Sequence, residues 1–101
     1  MPRARYQADG NQAEIIAALR AAGCTVSVIG GANGNTGVPD LLVGRSEYMA
    51  GGLAMRNYLL EVKAPGVDLN DAQKLWHATW GGQVAVVRTV EQALTVVGLR
   101  P

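Results

Sequence analysis

Cysteine and histidine are nearly missing from this chain, which has one of each, Cys24 and His77, in 101 residues. A lone cysteine cannot close an internal disulfide, and one Cys with one His cannot assemble a zinc cluster. Cys24 heads the apolar string CTVSVI and is expected to pack in the core at a strand start; nothing beside it favours Cys-His nucleophilic catalysis. Charge is also scarce. Only 17% of residues are charged while 49% are apolar, which excludes a predominantly disordered chain. The net charge of +1 is small for a protein that must hold a polyanion. Long apolar runs are missing too: none approaches the roughly 20 residues that span a bilayer, and MPRARYQADG lacks the hydrophobic segment of a signal peptide. A soluble, cytoplasmic protein of one domain is the expectation.

What the chain does have is acids in strand-like settings. NYLLEVK alternates as a strand does, placing Tyr58, Leu60 and Val62 on one face and Leu59, Glu61 and Lys63 on the other. Glu61 and Lys63 are then same-side neighbours, with Cα atoms roughly 6 to 7 Å apart. Asp40 opens the apolar run DLLV after a Gly-Val-Pro turn, and a hairpin joining the two strands would set its carboxylate beside Glu61. Two clustered carboxylates repel unless a cation sits between them. Hard oxygen ligands select Mg²⁺ or Mn²⁺, ions able to bridge to a phosphate oxygen and acidify a bound water. Lys63 could orient that water or neutralise developing charge. Together the three residues point to metal-assisted hydrolysis of a phosphodiester. Taken singly, Asp40 also fits a turn aspartate after proline, and Lys63 a solvated strand end before Pro65-Gly66. Glu61 is harder to explain otherwise, because a carboxylate buried on a central strand needs a partner or a metal.

The order Glu14, Pro39-Asp40, Glu61-Val62-Lys63, Gln73 resembles the PD-(D/E)xK nuclease superfamily, in particular its VRR-NUC branch of virus-type replication and repair nucleases. The resemblance runs from NQAEIIAALRAAG through both acidic strands to LNDAQKLWHATWGGQVAVVRTVEQAL. It implies a restriction-endonuclease-like core in a single VRR-NUC-like domain over 1–101. Asp40 and Glu61 would be metal ligands with the Val62 carbonyl, Glu14 a further candidate ligand, and Lys63 the catalytic lysine. Glu14 and Gln73 would be accessory site residues. The resemblance also implies a phage-type homodimer, cutting Holliday junctions or other branched or flap DNA to leave a 5′-phosphate and a 3′-hydroxyl. A binding module that keeps the fold without catalysis, or an accessory phage protein, is the competing class. Glu14 and Gln73 have plain alternatives, since they stand three residues after Asn11 and Asn70, as Gln92 does after Thr89; all three helices are expected to open with a capping box.

The remaining chain divides into an α/β order, α-β-β-β-α-β-α, with a small mixed sheet flanked by helices. Residues 11–22 read as an amphipathic helix with Ile15, Ile16, Leu19 and Ala22 inward and Gly23 closing it. CTVSVI is the first strand. The loop GGANGNTGVP has four glycines but no Gly-Lys-Ser/Thr ending, which argues against a nucleotide cradle and for a mobile connection into the site. RSEYMAGGLAMR separates DLLVG from NYLLEVK and reads as an extended hairpin insert over 44–56, either a flap or a solvent loop. Residues 70–80 form the second helix, QVAVVR a strand parallel to NYLLEVK, and Thr89 to Val97 the last helix. Gln73, His77 and Trp80 share one helix face. His77 could serve as a general acid there, though an isolated helical histidine is more often a packing residue. Trp76 and Trp80 are expected in the core or an interface before any base stacking. Arg45, Arg56, Lys63 and Lys74 are available for phosphates, and residues 1–10, with Arg3 and Arg5 beside Tyr6, are expected to form a flexible basic arm.

Overall fold

A computed structural model describes residues 10–30 and 36–100; residues 1–9 of the expected basic arm and residues 31–35 of the glycine-rich loop lie outside the described residues. The elements are α1 (Gln12–Ala21), β1 (Thr25–Val28), β2 (Leu41–Met49), β3 (Gly52–Val62), α2 (Asp71–Thr79), β4 (Ala85–Val87) and α3 (Val90–Val96). They follow the expected α-β-β-β-α-β-α order. The strands make one mixed sheet in the order β1-β2-β3-β4, antiparallel except for the β3/β4 pair. β3 is therefore an inner strand, as its apolar flanks suggested.

One face of this sheet carries the core. Leu41 and Val43 of β2, Leu60 and Val62 of β3 and Val87 of β4 all point to it, and all are buried with Ile15 and Leu19 of α1 and Ala93 of α3. Their positions alternate along the strands and recur at i, i+4 on α1, so one surface collects the buried aliphatic groups. Cys24 joins this cluster at the head of β1, where burial pushes its thiol pKa up and leaves it a packing residue. Ala22, expected inward, is exposed because α1 has already ended; Gly23 follows at φ +98, the left-handed conformation that closes helices. α2 lies on the other face, its Gln73 and His77 directed at Glu61 of β3.

Two local expectations are corrected. Residues 44–56 are not a flap or a loose insert. They continue β2 and β3 as a regular ladder down to the Met49/Gly52 rung, turning through Ala50-Gly51 alone. Two-residue hairpin turns need backbone freedom beside them, and Gly52 supplies it at φ +120. The ribbon runs well past β1, whose first residue Thr25 lies opposite Gly44, and past β4, which begins opposite Leu60, so the molecule is elongated at 50 × 30 × 23 Å.

The second correction concerns capping. Asn70 and Gln73 form the full reciprocal box on α2, and Thr89 accepts from the Gln92 amide on α3. Gln92 instead turns its side chain to the Arg88 amide. On α1 there is no side-chain cap: the Asn11 side chain donates to the Lys63 carbonyl at 3.1 Å and the Arg88 carbonyl at 2.8 Å. One amide thus ties the start of α1 across the ends of β3 and β4. A clasp of this kind needs an NH₂ group, which distinguishes it from a cap. Asn11→Ser, a good capping residue without that donor, is expected to lose about 1 to 3 kcal/mol in urea unfolding, as much as Asn11→Ala. Recovery of wild-type stability by serine would show that capping is what matters.

Candidate functional site

The site is assembled where β2 begins and β3 ends. Pro39 is buried, and the Asp40 carbonyl accepts from the Ile29 and Gly30 amides, which pins the turn before β2 to the end of β1. Gly37 fixes the approach from the other side. It is buried at φ +82, and a β-carbon there would collide with the Ala72 carbonyl and crowd Trp76, so this stretch lies wedged against the first turns of α2.

Leu41 pairs with Leu60, and continuing that register by one residue sets Asp40 opposite Glu61. The pairing is secured by a side chain: the Val62 amide donates to Asp40 Oδ2 at 2.8 Å. Residues directly opposite in such a ladder have Cβ atoms about 4.5 to 5.5 Å apart. The pleat puts Glu61 on the face opposite the aliphatic core, with Asp40 just before β2 and Lys63 just after β3. Lys63 itself is anchored through its backbone, donating to the Val87 carbonyl and accepting from Asn11.

Glu61 is the buried member, with 1% of its side chain exposed. α2 delivers one group to each of its oxygens. Gln73 Nε2 donates to Oε2 at 3.2 Å, and His77 Nε2 lies 3.7 Å from Oε1. Gln73 can do this precisely because it is half of the Asn70 box: its Oε1 accepts from the Asn70 amide while its Nε2 reaches the carboxylate. Gln73 is thus both half of the capping box and a hydrogen-bond partner of Glu61. His77 sits one turn on and stands edge-on to the Trp76 ring, 6.1 Å between centroids at 71°. Burial holds the His77 pKa below its ordinary 6.5, so the imidazole facing Glu61 is neutral at pH 7.

Other expected residues stand apart. Glu14 is exposed on the first turn of α1 and makes no hydrogen bond or ion pair among the described residues. Trp76 and Trp80 are outside the core cluster; they stack on one another at 4.6 Å, with Trp80 45% exposed. α2 turns Gln73 and His77 to Glu61, while Trp80 at its C-cap lines a cleft with Leu42 and Leu59. Arg45 is not available for phosphates, being paired with Glu47 and donating to the Val97 carbonyl. Lys74 has an exposed partner in Asp68 at 3.2 Å, a contact of little energetic weight, and Arg56 remains on the surface. Arg3 and Arg5 lie outside the described residues. The sequence reading missed Gln83, whose side chain pairs with both the amide and the carbonyl of Leu59 and so holds β3 where β4 does not reach.

Among the described residues, no three of His, Cys, Asp and Glu converge to form a metal cage by themselves. Mg²⁺ does not require one: it commonly takes one or two carboxylates and completes its shell with water and substrate phosphate. Asp40 and Glu61 are such a pair, and the Val62 carbonyl is a further hard oxygen next to the amide that holds Asp40. The donor set fits Mg²⁺ or Mn²⁺. Compared with known protein families, with curated proteins and with solved structures, the chain finds no match in any of the three.

The lowered His77 pKa has a consequence for stability. Below pH 6.5 the unfolded chain takes up a proton that the folded chain resists, so stability should fall as pH drops from 6.5 towards the folded value and stay level above it. Urea unfolding in chelator from about pH 7.5 to about pH 5.5 is expected to show that loss, and His77→Gln to flatten it. A gain in stability over the same range would mean that Glu61 charges the imidazole.

Proposed function

We propose that the chain is a metal-dependent DNA endonuclease of the PD-(D/E)xK type, cutting branched or flap DNA. The observation that carries the reading is the hydrogen bond from the Val62 amide to Asp40 Oδ2, which holds the carboxylate at the start of β2 beside the end of β3, where Glu61 is buried and Lys63 follows. A structural role alone gives no reason to bury a carboxylate there, where an aliphatic side chain would pack at less cost.

Asp40, Glu61 and the Val62 carbonyl would hold Mg²⁺ or Mn²⁺, which when bound supplies Lewis acidity to a phosphate oxygen and to an attacking water. The protein's own groups do the rest. Gln73 fixes the Glu61 carboxylate so that it does not reorient as substrate arrives. Lys63 places an ammonium beside the reacting phosphate, where it orients the water and offsets negative charge as it grows. His77, neutral and enclosed, keeps solvent off the inner side of Glu61. Glu14 is an accessory group whose part depends on substrate, since it lies exposed in the free protein.

The test is incubation of labelled four-way junction, flap, single-stranded and duplex DNA with the protein in Mg²⁺, Mn²⁺ or chelator. Cleavage is expected only with metal, leaving 5′-phosphate ends. Asp40→Asn and Lys63→Ala are each expected to lower the rate by about a hundredfold or more without changing the circular dichroism spectrum. Cutting at the wild-type rate by either variant would sink the site assignment, and DNA binding without cutting by the wild type would identify a non-catalytic module.

A further inference from the structure

Next to Glu61, on the same face of the sheet, the surface turns from polar to apolar. Leu59 precedes Glu61 by two residues of β3, about 7 Å along the strand, and pairs with Leu42 on β2. Trp80, the C-cap of α2, stands beside this pair, and together with Asn57, Tyr58 and Gln83 they line a cleft of about 360 Å³. None of these six residues carries a charge. The volume is at the small end of the roughly 300 to 1,000 Å³ of small-ligand sites, room for one flat ring system rather than a folded partner.

The cleft is held in shape without an occupant. Gln83 uses both ends of its side-chain amide on the Leu59 backbone, accepting from the N–H at 2.8 Å and donating to the carbonyl at 3.3 Å, and its own carbonyl accepts from Trp80 Nε1 at 3.2 Å. Trp76 stacks on the Trp80 indole at 4.6 Å and 19°. An indole fixed at its nitrogen and backed by a second ring is a rigid plane, yet Trp80 stays 45% and Leu42 39% exposed. Asn57 makes no side-chain hydrogen bond among the described residues, so it keeps a donor and an acceptor for the edge of a ligand.

We propose that this cleft is a base-binding subsite, taking one unpaired nucleobase of a DNA strand whose neighbouring phosphate lies at Asp40 and Glu61. The position of that phosphate rests on the hydrolytic reading; the affinity of the cleft for a base does not. An aromatic plane over an apolar floor, with an amide at its rim, suits stacking one base and bonding its edge. The uncharged lining suits the base and not the phosphate, which needs cations to neutralise it. Every base has a π-face, so stacking on Trp80 is tolerant of sequence. A base within a duplex has both faces covered by its neighbours, and only one taken out of the stack can lie against the indole. The distance from Leu59 to Glu61 is about one nucleotide step of an extended strand, so base and phosphate can be held together. The cleft thereby supplies what the carboxylates alone do not, a reason to act where nucleotides are unpaired.

Fluorescence anisotropy in chelator, at one fixed low salt, tests it with two labelled probes: an oligothymidylate of about eight nucleotides, and an abasic oligomer of the same length and charge. The wild type is expected to bind the oligothymidylate about tenfold more tightly than the abasic oligomer, and only the former should quench the fluorescence of Trp76 and Trp80, the chain's two tryptophans. Trp80→Ala, with circular dichroism unchanged, is expected to lose that tenfold and to bind the abasic oligomer as the wild type does; Trp80→Phe, which keeps an aromatic plane, should retain most of it. Equal wild-type affinity for the two oligomers, or equal affinity of wild type and Trp80→Ala for the oligothymidylate, would overturn the base site. The expected binding by a protein that cuts no DNA in Mg²⁺ or Mn²⁺ would keep the base site and remove the hydrolytic reading. Metal-dependent cutting by a protein that binds the two oligomers alike would do the reverse.

Discussion

A carboxylate on an inner strand has to be housed, and the housing of Glu61 is the constraint around which this small sheet is arranged. Taking an ion out of water costs several kcal/mol unless neighbouring dipoles and charges compensate. Here the compensation comes from a helix placed for it. α2 opens with the Asn70–Gln73 box, which fixes the rotamer that lets Gln73 reach Oε2, and His77 follows one turn later against Oε1. The helix is thereby held to the sheet by polar contacts, which explains why it has no fully buried residue while α1 and α3 each contribute to the aliphatic core. Near this end the two faces of the sheet differ in chemistry: the aliphatic core lies on one, and the buried Glu61 lies under α2 on the other.

The long hairpin is the second consequence of how the strands are set. β2 and β3 share nine rungs, while β1 and β4 cover only the part nearest the site. The same alternation that sends Leu41, Val43, Leu60 and Val62 into the core sends Leu42 and Leu59 to the opposite face, and it continues unbroken into Ser46, Tyr48, Leu53 and Met55 once the helices are left behind. A one-residue slip of either strand would turn its core residues to the opposite face. Register therefore links the core to the placement of Asp40 beside the end of β3.

Most of the element order was legible in the sequence because each element has a local cause. The i, i+4 aliphatics of α1, the Asn70–Gln73 spacing and the alternation of NYLLEVK all act within a few residues, and the structure follows them. Residues 44–56 were legible as an extended hairpin but not as paired strand, because RSEYMAGGLAMR is longer than an ordinary hairpin turn, whereas the tight turn needs only two residues and leaves the flanks free to pair. The position of Asp40 beside Glu61 could be anticipated from the Gly-Val-Pro turn. What could not be anticipated were partners remote in the chain. Asn11 has the spacing of a cap, yet its amide is used on carbonyls 52 and 77 residues away. Gln83 is likewise taken up by Leu59, 24 residues earlier. For the tryptophans, hydrophobicity pointed to the core, but α2 lies over Glu61 and spends its inner face on polar contacts.

The place of the candidate site in the topology has its own logic. β3 is antiparallel to β2 on one side and parallel to β4 on the other, so its carboxyl end is where the sheet changes direction. At that end the chain enters β2 through Asp40 and leaves β3 through Lys63, and both residues come to one edge without any loop having to carry them. The start of α1 arrives at the same point, because its Asn11 side chain spans the Lys63 and Arg88 carbonyls at the ends of the parallel pair. In open sheets with parallel strands, ligands characteristically meet the protein beyond the carboxyl ends of those strands, where helix starts and strand ends face the same space. Four distant parts of a 101-residue chain converge there, the turn before β2, the end of β3, and the first turns of α1 and α2. A chain this short has little interior to spare, and putting a buried acid, a clasp and two helix starts at one edge leaves the other face wholly to packing.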